Sequence, residues 1–61
     1  MMNKEEKIEK LVAFLIDYVG ESTNPEYIEK HIELYANDIG KSFDFDDSII
    51  KEAVEIYKNL G

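Results

Sequence analysis

Early in the chain, apolar residues fall at Ile8, Leu11, Val12, Phe14, Leu15, Ile16, Tyr18 and Val19, with Glu9, Lys10, Ala13 and Asp17 between them. At about 100° per residue these positions fill an arc of roughly 200°, which predicts an amphipathic helix. It should run from about Asn3 to Val19, with Gly20 free to adopt the left-handed backbone that ends a helix. After the polar corner Glu21-Ser22-Thr23, Asn24 is a strong N-cap and Pro25 suits a first helical position. A second helix over 25–39 then carries Tyr27, Ile28, His31, Ile32, Leu34, Tyr35, Ala36 and Ile39 on one side, with Glu26, Glu29, Lys30, Glu33 and Asn37 outside and Gly40 as the stop.

A second corner leads from Lys41 through Phe43 and Asp44 to Asp46, the expected cap of a third helix over 47–60. Phe45 before that cap can pack on Ile50 at the fourth helical position, the hydrophobic staple arrangement. Ile49, Ile50, Ala53, Val54, Ile56, Tyr57 and Leu60 should face inward, and Gly61 should close the helix. Three helices joined by short loops predict an all-α fold, a small three-helix bundle forming one domain over 1–61. Helix one is broader in its apolar face than a single partner can cover, because Phe14 and Ile16 lie on opposite flanks. It is either wedged between the other two helices or shared with a second copy of the chain, so a homodimer stays open.

Composition sharpens this picture. Leu, Ile, Val and Phe make up eighteen of the 61 residues, enough for a folded core, although a chain this short buries only about 60% of the surface its unfolded form exposes. There is no Cys for a disulfide or a thiolate metal site. The longest apolar run, Leu11 to Ile16, is far too short to span a bilayer, and the acidic start at Glu5, Glu6 and Glu9 does not suit a signal peptide. A cytoplasmic protein is expected.

Fourteen acids against seven Lys and no Arg give a net charge of -7. That charge opposes nucleic acid and anionic membrane and favours basic partners. A three-helix chain is also the size of a helix-turn-helix module, yet helix three offers only Lys51 and Lys58, offset by Glu52, Glu55 and the Asp44 to Asp47 run. Direct DNA binding is therefore the least favoured function.

Three groups of residues invite a chemical reading. Asp44, Asp46, Ser48, Glu52 and Glu55 have the spacing of a calcium loop, but Ile49 stands where the turn needs Gly and Lys51 where an apolar residue is usual. Helix capping accounts for these acids better, and no metal is expected. Asp47-Ser48-Ile49 resembles the Asp-Ser-Leu attachment site of acyl carrier proteins, which place two further helices after it; only thirteen residues follow Ser48. His31, the one histidine, is expected to be a partly buried packing residue between Tyr27 and Tyr35, since none of its helical neighbours is a usual metal ligand. With no Cys, no Gly-rich phosphate loop and no H-E-x-x-H, neither an enzyme nor a cofactor is expected.

What remains is the acidic surface. Glu26, Glu29 and Glu33 should form a stripe on helix two, flanked by Glu21 and by Asp44, Asp46 and Asp47, with Tyr27 and Phe43 as exposed aromatic anchors. The expected function is a non-enzymatic protein interaction module, an inhibitor or regulator of a basic nucleic-acid-handling protein of the kind phages and mobile elements encode. The structural alternative is a homodimeric assembly unit that uses the apolar face of helix one.

Overall fold

The computed structural model describes residues 2–60, so Gly61 as a helix stop lies outside the described residues. Four helices follow one another: α1 (Lys4–Glu21), α2 (Pro25–Lys30), α3 (Ile32–Ser42) and α4 (Asp47–Leu60). No strand occurs among the described residues. The fold is a small all-α bundle in which α2 and α3 replace the single helix expected over 25–39.

Asn3 opens α1 by accepting the Glu6 amide on Oδ1 at 2.9 Å. The helix runs through Gly20, which keeps a helical backbone, and stops where Ser22 turns extended at φ -70° and ψ 145°. The Ser22 hydroxyl then takes the Asn24 amide at 3.0 Å, so a side-chain turn ends α1 where a left-handed glycine was expected. Asn24 caps α2 as predicted, accepting the Tyr27 amide at 3.4 Å with Pro25 at the first position.

The helix breaks at His31, where φ -112° and ψ 25° lie in the sparsely populated bridge region. Its amide donates to Ile28 three residues back, at 3.1 Å, and not to the carbonyl four back. Neither Pro nor Gly stands at this joint; packing accounts for it. Ile28 is buried outside the main core, beside Tyr18 at the end of α1, whereas Ile32 and Ala36 enter the core with α1 and α4. The bend leaves His31 exposed, its ring 4.6 Å from that of Tyr27. The partly buried histidine expected from the sequence is thus corrected.

Gly40 does not stop α3 either. The helix continues to Ser42 and ends in a Schellman motif, in which the Phe45 amide donates to the Gly40 carbonyl at 2.9 Å and the Asp44 amide to Lys41 at 3.0 Å. Asp44 supplies the left-handed residue, at φ 62°. Gly40 instead serves packing. It is buried against α4, and a Cβ there would stand 2.5 Å from Ile50 Cγ1 and 2.7 Å from Cδ1. Only glycine allows α3 and α4 to come this close with Ile50 between them.

Asp46 caps α4 as expected, with Oδ1 accepting the Ile49 amide at 3.0 Å and the Ser48 hydroxyl at 2.7 Å. Phe45 and Ile50, the staple pair, are both buried in the core, which is centred on the fully enclosed Leu11 and Leu15 of α1. Helix α3 runs antiparallel to α4, since Lys41 pairs with Asp47 at one end and Glu33 with Lys58 at the other, at 2.8 and 3.1 Å. Helices α1 and α4 run parallel: Lys4 pairs with Glu52 at 3.5 Å near their starts, and Ile16 lies beside Leu60 near their ends.

Candidate protein-binding surface

The eight residues singled out in the sequence fall into two groups. Glu26, Tyr27 and Glu29 sit on α2 and Glu33 opens α3, while Phe43, Asp44, Asp46 and Asp47 form the second corner. Glu33 and Phe43, where the two groups come nearest in sequence, stand at opposite ends of α3, about 15 Å apart at 1.5 Å per residue. They make no single stripe.

At the second corner the residues are engaged with one another. Asp46 is the cap; hydrogen bonds from the Ser48 hydroxyl and the Ile49 amide hold its carboxyl below the usual carboxylate range. The Asp47 carboxylate accepts from Lys41 and raises that ammonium above its ordinary value. Phe43 lies between Phe14 and Phe45, with ring centroids 5.1 and 5.7 Å apart, and the Lys10 ammonium stands 5.5 Å from its centroid in a cation–π contact. These groups build the turn while staying exposed, and Phe43 keeps 42% of its surface in solvent.

On α2 the side chains are less committed. Glu26 and Glu29 are exposed and join no ion pair among the described residues, and Tyr27 is 53% exposed against the His31 ring. Glu33 differs, because its carboxylate is held by Lys58. Glu29 also reaches toward α4, where burial and then this carboxylate raise the Tyr57 hydroxyl above its ordinary value.

A second feature is only partly legible in the sequence. Ile56 and Leu60, expected to face inward, are 44% and 61% exposed, and Ile16 is 46% exposed; Leu34, also placed inward, points to solvent. Phe14 is drawn toward the second corner, so the two flanks of α1 part as its broad arc required. Among the described residues no further helix covers the α1/α4 side, where a shallow groove is made of two hollows that share Ile16: one over Ile8, Val12 and Ile56, the other bordered by Tyr57 and Leu60 together with Ile32 of α3. Glu9 stands on its edge at one end and Glu29 at the other, with Lys58 beside Glu29 but turned to Glu33. The signal in the sequence was the width of the α1 arc, which pointed to Ile16 and said nothing of its neighbours on α4.

Such a surface can bind by apolar contact framed by charge. No cluster of three or more metal-ligating side chains occurs among the described residues, and no helix there is long and apolar enough to cross a membrane. Compared with protein-family models, curated proteins and solved structures, the chain matches none.

Proposed function

We propose that this protein is a non-enzymatic interaction module of the cytoplasm that binds a basic protein and acts as its inhibitor or regulator. The observation that supports this most is the pair Glu26 and Glu29, two exposed carboxylates without an ion pair among the described residues, carried by the same short helix as the half-exposed Tyr27. An exposed aromatic ring and unpaired charge on one short helix offer both an anchor and electrostatic selection against acidic competitors. The excess of acids over Lys across the whole chain adds long-range attraction for a cationic partner.

The test is affinity capture from native lysate at low and high salt, wild type beside a Glu26→Lys, Glu29→Lys variant. Glu33 is left intact, since a lysine there would face Lys58 and disturb the bundle. A basic protein retained by wild type and lost with the reversal or with salt is the expected result. A retained set that neither treatment changes would remove the proposal.

A further inference from the structure

The α1/α4 groove is an apolar surface left open by the fold, and its chemistry restricts what can fill it. It consists of two hollows that share Ile16, both lined mainly by apolar side chains. The carboxylates at its edges, Glu9 and Glu29, are unpaired among the described residues, and its one cation, Lys58, is already neutralised by Glu33. An occupant must therefore bring apolar side chains to the centre and positive charge to the rim.

Its shape adds a second restriction. Two neighbouring helices present ridges and grooves that a third helix can pack into, and no sheet edge among the described residues could pair with an extended strand. A second copy of this chain fits poorly. A two-fold contact would bring Glu9 and Glu29 of both copies to one interface and join two chains of charge -7 each.

We infer that the α1/α4 groove is the docking site for a cationic amphipathic helix, which lays its apolar face on Ile16, Ile56 and Leu60 and sets basic residues against Glu9 and Glu29. This rests on the reading of the protein as a binder of basic partners and adds which element of the partner is held, and where. Glu29 links the two, standing both on the acidic face of α2 and at the edge of the groove.

The experiment uses the whole chain and two labelled peptides of identical Lys/Leu composition, about four helical turns long. One places Leu at i, i+3, i+4 and i+7, and the other is permuted so that no apolar face forms. Anisotropy gives affinity and amide chemical shifts give location. The patterned peptide should bind at least tenfold tighter than the permuted one, with shifts centred on Ile16, Ile56 and Leu60.

A variant carrying Ile16→Glu and Ile56→Glu separates apolar docking from charge. It adds negative charge while removing the apolar floor, so the inference expects at least tenfold weaker binding, whereas attraction by charge alone would make binding tighter. Leu60→Glu, at the exposed end of α4, repeats the test where the core is not at risk. Equal binding of both peptides overturns the inference and leaves the broader reading standing; no binding of either at low salt overturns both. A wild-type dimer in sedimentation that is lost in Leu60→Glu would give the groove to a second copy and also overturn the inference.

Discussion

The corner between α3 and α4 uses nearly every residue it contains, whereas the corner between α1 and α2 rests on a serine turn and one cap. In the first, Asp44 takes a left-handed backbone, Phe45 enters the core, Asp46 caps the next helix and Asp47 pairs with Lys41. In the second, Ser22, Thr23 and Asn24 bury no large side chain, and α1 ends on Glu21, whose charge sits unfavourably at a helix C-terminus. A chain this small holds its register through one dense turn. The other only has to reverse direction.

Substitutions can break that contrast. Phe45→Ala should cost about 3–5 kcal/mol, close to the whole stability of a domain at roughly 0.05–0.15 kcal/mol per residue, and should abolish the cooperative melt in circular dichroism. Ser22→Ala at the other corner should cost less than about 1 kcal/mol by the same melt. The two glycines sharpen the comparison further. Gly40→Ala should destabilise by about 1–3 kcal/mol, because Ile50 is β-branched and holds one rotamer in a helix, and Ile50→Val, which removes Cδ1, should restore part of the loss.

Asp46→Ala should lower the melting temperature by about 5 °C through loss of the cap. The same residue gives the corner an acid dependence whose sign follows from its depressed pKa. Its contribution is complete above the ordinary aspartate value of about 3.9 and disappears as pH falls through the lower folded value. Asp46→Asn keeps an acceptor that does not titrate, so its stability should fall less steeply below about pH 4 than that of wild type. The smallest effects are gains: Gly20→Ala, with open space around the new methyl and a helical backbone already, and Asp44→Gly, which relieves the left-handed aspartate, should each stabilise by about 0.5–1 kcal/mol in urea denaturation.

Helix boundaries were legible wherever a local rule set them. Asn24 with Pro25, and Phe45 with Asp46, carry side chains whose hydrogen bonds or burial reach no further than the next turn, and both helix starts stand where the sequence places them. Gly40 misled for the converse reason. At Gly40 the need is for closeness to Ile50, a residue ten positions away, and nothing in the local pattern distinguishes that from a helix stop. The break at His31 is likewise a tertiary compromise between Ile28 and the core, hidden in a run of good helix spacing. At the candidate surface, sequence supplied the acids of α2, but the exposure of Ile56 and Leu60 depends on which side of α4 lacks a neighbour.

The joint at His31 also bears on how the molecule opens. Helix α2 packs its backbone on α1 and α3 and meets α4 only through the Glu29 side chain, and its one buried side chain, Ile28, stands apart from the main cluster. It can therefore detach while Leu11, Leu15 and the α3/α4 contact stay closed. Amide protons over 26–30 should exchange with solvent through this partial opening, well ahead of those in α1 and α4, which await global unfolding. A ligand that grips Glu29 would slow exchange in that one turn and a half first, giving occupancy a readout that needs no label.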